Sequence, residues 1–198
     1  MRTISLIVPC YNEEESIMLF YDAVDKVFTG INATGDNYQP EFQFVNDGSS
    51  DKTLEILKQL QTQHPETVHY ISFSRNFGKE SALAAGLDAA TGDLVAVMDV
   101  DLQDPPELLP EMIRLIEEEN YDCVGTIQKA RRGQSRIRAF LSSRFYKVID
   151  SMSQVNIEPN ARDYRLMTRQ MSIQLLPCRN TIAFQREFLP GSVIKQNI

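Results

Sequence analysis

A chain of 198 residues is long enough for one domain with a real core, and its 42% apolar and 24% charged composition excludes disorder over most of its length. The formal net charge of -7 disfavours nucleic acid as a partner, because a phosphate backbone would be repelled. Cys10, Cys123 and Cys178 are too scattered for a metal site or a disulfide framework, and no apolar run approaches the roughly 18 residues that cross a bilayer. The start Met1-Arg2-Thr3-Ile4 enters a strand directly, without the pattern of a signal peptide, so the expected location is cytoplasmic.

In chain order, Ile4 to Val8 reads as a buried strand ended by Pro9, followed by a helix carrying Ile17, Phe20, Tyr21, Val24, Val27 and Phe28 and stopped by Gly30. The same unit recurs three times: Phe42–Val45 with Leu54–Leu60, Val68–Phe73 with Glu80–Ala90, and Leu94–Met98 with Glu107–Glu118. Asp51 is the expected N-cap of the second helix, Gly92 a C-terminal stop, and Pro106 sits in a first helical turn. A fifth strand spans Cys123 to Thr126, an amphipathic helix runs from Ser135 to Met152, and a last strand (Asp163–Met167) and helix (Arg169–Leu176) follow. Strand and helix in alternation predict an α/β fold with a mostly parallel sheet flanked by helices, and ligands in such sheets bind beyond the carboxyl ends of the strands. Four polar clusters fall at those ends: Tyr11-Asn12-Glu13, Asn46-Asp47-Gly48-Ser49, Ser74-Arg75-Asn76 and Asp99-Val100-Asp101.

In Asp99-Val100-Asp101, carboxylates at i and i+2 of an extended segment point the same way while Val100 faces the core. With Gln103, this oxygen-rich set suits Mg²⁺ or Mn²⁺, which take further ligands from substrate phosphates. The plainer alternative is a solvated acidic loop before a helix capped by Asp104. Asp47 could accept a hydrogen bond from a nucleobase or a ribose hydroxyl, although the Gly48-Ser49-Ser50-Asp51 turn and cap chemistry accounts for its loop unaided.

Four motifs together, Val8-Pro9-Cys10-Tyr11-Asn12-Glu13-Glu14, Asn46-Asp47-Gly48-Ser49-Ser50-Asp51, Arg75-Asn76-Phe77-Gly78-Lys79 and Asp99-Val100-Asp101-Leu102-Gln103-Asp104-Pro105-Pro106-Glu107, resemble glycosyltransferase family 2 in order and spacing. The likeness is to its polyprenyl-phosphate glycosyltransferases, among them dolichyl-phosphate mannosyltransferase and bacterial undecaprenyl-phosphate glucosyltransferases. It implies a GT-A-type nucleotide-diphospho-sugar transferase fold over residues 1–176, with a nucleotide half to about 105, an acceptor half from 106 to 176, and a tail at 177–198 leading toward a membrane-associated region. It also implies Pro9, Tyr11, Glu13 and Asp47 in the nucleotide pocket, Asp99 on the nucleotide or a metal-bound water, and Asp101 and Gln103 as ligands of Mg²⁺ or Mn²⁺.

Between Lys129 and Lys147 the cations Lys129, Arg131, Arg132, Arg136, Arg138, Arg144 and Lys147 occur without an acidic residue, a solvated helix face or an anion-binding strip. The motifs Arg132-Gly133-Gln134, Ser142-Ser143-Arg144-Phe145-Tyr146 and Asp163-Tyr164-Arg165-Leu166-Met167 are similar to the acceptor half of the same group. Arg138 and Ser142, four apart on one helix face, are the expected grip on the acceptor phosphate, with Arg132 and Arg138 also stabilising transition-state charge and Asp163 orienting the acceptor. Two departures from the pattern are Asn46, where the family commonly has a first aspartate, and Val100, where it has a small residue.

The expected activity is inverting, metal-dependent transfer of a sugar from a nucleotide-diphospho-sugar to a polyprenyl phosphate, in cell-envelope or polysaccharide glycan assembly. A uridine diphosphate sugar such as UDP-glucose is the expected donor, with guanosine diphosphate mannose open. The expected site of action is peripheral, at the cytoplasmic face of the membrane, on its surface or on a membrane-protein partner, with homo-oligomers open. Two alternatives stand beside it: a non-catalytic nucleotide-sugar-binding domain, and a phosphotransferase using Asp99 as nucleophile.

Overall fold

The computed structural model describes residues 1–128, 161–175 and 192–196. Its elements are β1 (Arg2–Cys10), α1 (Ile17–Ala33), β2 (Tyr38–Asn46), α2 (Thr53–Gln63), β3 (Val68–Ser72), α3 (Lys79–Ala89) and β4 (Leu94–Val97), then a 3₁₀ turn (Pro106–Leu108) running into α4 (Leu109–Glu119). After these come β5 (Cys123–Gln128), β6 (Ala161–Thr168), α5 (Arg169–Leu175) and β7 (Ser192–Gln196). The alternation legible in the sequence is present, and the expected strand Asp163–Met167 and helix Arg169–Leu176 correspond to β6 and α5, whereas β7 lies in a stretch where the sequence showed no strand pattern. The expected helix from Ser135 to Met152 lies outside the described residues.

The strands form a seven-stranded sheet in the order β3-β2-β1-β4-β6-β5-β7. β1 pairs in parallel with β2 and β4, and β2 with β3, while β6 runs antiparallel to both β4 and β5. That single reversal matters for the site: because β6 opposes β4, its first residues stand at the carboxyl end of β4.

Alternation along the central strands fills both faces of the sheet. Ile4, Leu6 and Val8 of β1, with Leu94 and Ala96 of β4, pack against α1 and α4 in a cluster holding Phe20, Phe42, Phe44 and Tyr164. Ile7, Val95 and Val97 face the other way, onto Leu83 and Leu87 of α3 and Leu175 of α5. Phe20, Phe42 and Phe44 are fully buried, and each such ring stabilises the fold by roughly 1.5–3 kcal/mol through burial alone.

At two elements the chain runs past an expected stop. β1 continues through Pro9 to Cys10. Ile7 O accepts from Met98 N at 3.1 Å, so Pro9, two residues on, faces the same side, where pairing with β4 has already ended at Ile7–Val97. The missing N–H therefore costs no ladder bond. α1 likewise runs past Gly30 to Ala33, held down by the buried Ile31; an exposed glycine costs a helix only about 1 kcal/mol.

Candidate active site

The loops after β1 and β2 are fastened to each other before they form any pocket. Asn12, at φ 56°, accepts from Ser50 N through its side-chain oxygen at 2.9 Å, and its own N–H donates to Ser49 Oγ at 2.9 Å. Glu14 accepts from Lys52 N at 2.9 Å, while Asp51 accepts from Glu14 N at 3.1 Å and from Thr53 N at 3.0 Å. Asp51, expected as the N-cap of α2, thus sits one position before the capping residue Lys52 and serves both loops. Asn46, the departure from the aspartate pattern, uses both ends of its amide: it donates to Ser72 Oγ at 2.9 Å and accepts from Ser49 N at 3.1 Å.

Asp47 is buried, and its two oxygens accept from Phe77 N at 2.7 Å and Gly78 N at 2.9 Å. It therefore anchors the loop between β3 and α3, a task that the sequence reading, which gave it only to the nucleotide, did not assign. The acidic turn also differs in detail. β4 ends at Val97, so Asp99 and Asp101 are brought to one side by a turn, not by strand alternation. In that turn Asp101 Oδ1 accepts from Gln103 N at 3.0 Å and Leu102 has φ 56°, a left-handed conformation rare for leucine. Val100 is buried as expected.

These loops enclose a cavity of about 330 Å³ lined by Pro9, Tyr11, Glu13, Asp47, Asp99 and Asp101, the expected nucleotide residues and one expected metal ligand, with Asn76 and Lys79 beside them. Gln103 is exposed and not in that lining; its Oε1 accepts from Arg162 Nη1 at 3.4 Å, and Arg162 Nε lies 3.4 Å from Asp104. Arg132, Arg138 and Ser142 lie outside the described residues.

Lys79 joins the expected acceptor residue to this pocket. Its Nζ lies 2.6 Å from Asp99 Oδ1 and 2.6 Å from Asp163 Oδ2. Burial alone would lower the Lys79 pKa, but the hydrogen bonds to Asp163 and Asp99 and the attraction of both charges more than offset this and raise it. The neighbouring Glu80 carboxyl is pushed up by burial and by the Asp163 charge. Lys79 was not singled out in the sequence, although a signal existed: a lysine in the first turn of a helix opposes the helix dipole, and such a misfit asks for nearby carboxylates.

Among the described lining residues, Glu13, Asp47, Asp99 and Asp101 set four carboxylates against the single Lys79 cation. A nucleoside diphosphate would meet net repulsion there unless a cation came with it. The available ligands are hard oxygens, and no trio of His, Cys, Asp or Glu among the described residues is placed to hold an ion alone. That donor set fits Mg²⁺ or Mn²⁺ shared with substrate phosphates.

Residues 5–176 match the model of glycosyl transferase family 2. The chain is 43% identical over 173 residues to the putative glycosyltransferase CsbB of Bacillus subtilis (strain 168), covering 87% of this chain and 50% of that one. It is 44% identical over 181 residues to the bactoprenol glucosyl transferase of Shigella phage SfX, covering 89% and 56%. It thus spans about half the length of the curated relatives it matches. Among solved structures, glucosyl-3-phosphoglycerate synthase from Mycobacterium tuberculosis, in complex with Mn²⁺, UDP and glucosyl-3-phosphoglycerate, superposes with a TM-score of 0.55 at 20% identity, over 86% of this chain and 58% of that one. The fold is accordingly of the GT-A type, and the chain belongs to glycosyl transferase family 2.

Proposed function

We propose that the chain is the catalytic part of an inverting glycosyltransferase that moves a sugar, glucose by preference, from a uridine diphosphate sugar to a polyprenyl phosphate at the cytoplasmic face of a membrane. The observation that carries this reading is the acidic cavity at the ends of β1, β2 and β4, whose lining residue Lys79 bridges Asp99 to Asp163 of β6. Support for the donor and acceptor comes from the relative named as a bactoprenol glucosyl transferase and from the GT-A structure holding UDP and Mn²⁺.

In this reading Pro9, Tyr11, Glu13 and Asp47 hold the nucleoside, with the exposed Tyr11 ring at the mouth of the cavity. Asp101, assisted by Asp99, would hold Mg²⁺ or Mn²⁺, joined by Gln103 once its side chain leaves Arg162, and the ion when bound would supply positive charge to the leaving diphosphate. Asp163 orients the acceptor phosphate, while Arg132, Arg138 and Ser142 hold its charge. An acceptor phosphate oxygen attacks the anomeric carbon as the bond from that carbon to the β-phosphate oxygen breaks, and the nucleoside diphosphate leaves with the electron pair. A phosphate monoester with a second pKa near about 6 is already largely ionised at neutral pH, so Asp163 need not remove a proton. Membership of the family speaks against a phosphotransferase using Asp99 as nucleophile.

The test is a thermal-shift panel of nucleotide sugars with and without Mn²⁺ or Mg²⁺, followed by transfer of labelled sugar to a short polyprenyl phosphate. UDP-glucose should raise the melting temperature only with the metal, and label should move to lipid. Donor stabilisation without transfer in membranes holding the full-length protein would favour a non-catalytic binding domain; no stabilisation by any nucleotide sugar would end both readings.

A further inference from the structure

Asp163 stands where the sheet itself does little to fix it. Pairing of β4 with β6 ends at Val97–Arg165, two residues short of Asp163. On the other side, the β5–β6 register jumps from Gly125–Arg165 to Ile127–Ala161, so Asp163 falls inside the irregular stretch. A residue in a bulge is re-aimed relative to the regular pleat and has no ladder partner to define its direction. Its carboxylate is nonetheless tied at 2.6 Å to Lys79 Nζ, the same atom that meets Asp99 at 2.6 Å. Of the two arginines that flank it on the strand, Arg165 donates to the main-chain oxygen of Asp163 and not to its carboxylate, and Arg162 is engaged with Gln103 and Asp104. The three side chains are between 29% and 35% exposed, open enough to meet a ligand.

We infer that Lys79 is a positioning residue for sugar transfer: it fastens Asp163 to Asp99, and so holds the acceptor-orienting carboxylate at a fixed place beside the donor pocket. The inference rests on the function proposed above. Three features of the chain support it. The loop leading to Lys79 is itself pinned by Asp47 through Phe77 N and Gly78 N, so the lysine starts from a rigid point. Lys79 is the first residue of α3, a helix packed on β1 and β2, which carry the nucleotide loops. The bridge spans 84 residues in sequence and joins the donor side of the cavity to β6. Without the ammonium, Asp99 and Asp163 would be two carboxylates facing one another, and repulsion would turn Asp163 away.

Membranes containing the full-length protein, assayed with UDP-glucose, Mn²⁺ and a short polyprenyl phosphate, test this through a double-mutant cycle of Lys79→Met and Asp163→Asn. Lys79→Met should lower kcat by about 10- to 100-fold, the size of one charge-assisted hydrogen bond, with donor KM within about threefold of the parent. Lys79→Arg, which keeps the charge with a different reach, should recover part of the loss. Adding Lys79→Met to Asp163→Asn should cost nothing further, because the lysine acts through that carboxylate. The inference is overturned if Lys79→Met keeps kcat within about threefold, or if the two losses multiply. It is equally overturned if kcat falls only in proportion to folded protein, measured by the melting temperature and, should Lys79→Met fail to fold, by the Lys79→Arg protein. A parent protein that transfers no sugar defeats the proposed function, and this inference with it; a parent that transfers while Lys79→Met does so equally defeats the inference alone.

Discussion

Asp47 Oδ2 accepts a hydrogen bond from Gly78 N at 2.9 Å, and this one contact links the end of β2 to the start of α3. With the companion bond from Phe77 N, it makes Asp47 the anchor of the loop that delivers Lys79. Asp47→Ala strands two part-buried backbone donors, and each costs about 1 kcal/mol, the lower end of the range for an unsatisfied donor. Urea unfolding should show a loss of at least about 2 kcal/mol. Asp47→Asn, which retains one acceptor oxygen, should fall between the two. A residue serving only the nucleotide would leave the unfolding midpoint unchanged, so an Asp47→Ala protein as stable as the parent would contradict this assignment.

Gly48 makes a second, independent prediction about the same junction. Its φ is 66°, and a Cβ there would stand 2.2 Å from the carbonyl carbon of Arg75 and 2.6 Å from Asn76 N. The obstruction is backbone, which cannot rotate aside as a side chain would. Gly48→Ala should therefore cost about 2 kcal/mol or more, combining left-handed strain with overpacking, and should weaken donor binding by spreading the two loops. Unfolding midpoints and donor titration check both. Ser50→Ala, on the exposed rim, should cost only about 0.5 kcal/mol by the same measurements.

The sheet and the convergence of strand ends were legible because they depend on short-range patterns: a period of two in the strands, helical spacing between them, and polar residues where each strand stops. The roles inside the site were less so. Lys79 reads as an ordinary surface lysine until β6 folds back antiparallel to β4 and presents Asp163, a pairing no local spacing encodes. The same holds for Asp47, whose backbone partners lie about 30 residues on, across a strand crossing. Asp99 and Asp101 were expected on one side through strand alternation, and they share a side through a turn. The chemistry was visible and the geometry delivering it was not. Gln103 shows the limit from the other direction, since its motif position suggested a pocket ligand while its side chain is turned toward Arg162.

Glu41 yields a prediction about acid stability at the far end of the sheet. This buried carboxylate accepts from Ser5 Oγ, from Thr91 N at 3.0 Å and from Thr91 Oγ1 at 2.6 Å, while Gly92 N donates to Ser5 Oγ at 2.8 Å. Burial alone would raise its pKa, but those donors, with the nearby His69, more than offset burial and hold it below its ordinary value of 4.5. A carboxyl whose folded pKa is depressed contributes stability that is fully present above its unfolded pKa and is lost as pH falls through the folded one. The parent should therefore lose stability below about pH 4.5 more steeply than a Glu41→Gln protein, which should be weaker at neutral pH with a flatter acid limb. Urea midpoints between about pH 3 and pH 7 measure both limbs, and parallel curves would remove Glu41 from the acid response.

Asp101 separates charge from ligation in the acidic cavity. Its side chain is exposed, and the contact it makes among the described residues is the short-range bond to Gln103 N. Asp101→Ala should therefore change the unliganded melting temperature little, on the order of the 0.5–1 kcal/mol of one exposed local hydrogen bond. Its effects on donor binding should have opposite signs in two conditions. With a chelator present, removing one of four carboxylates relieves repulsion, so UDP should bind as well as to the parent or better. With Mn²⁺ present, the parent should gain donor stabilisation that Asp101→Ala does not, and transfer should fall to background. Titrating UDP into both proteins with and without Mn²⁺ reads all four cases. If Asp101→Ala keeps the full Mn²⁺-dependent gain, the ion is held elsewhere in the cavity; if it binds UDP less well even with a chelator, the carboxylate contacts the nucleotide directly. Only the crossed pattern, no loss without the metal and a large loss with it, marks Asp101 as the residue that makes an acidic cavity hospitable to a diphosphate.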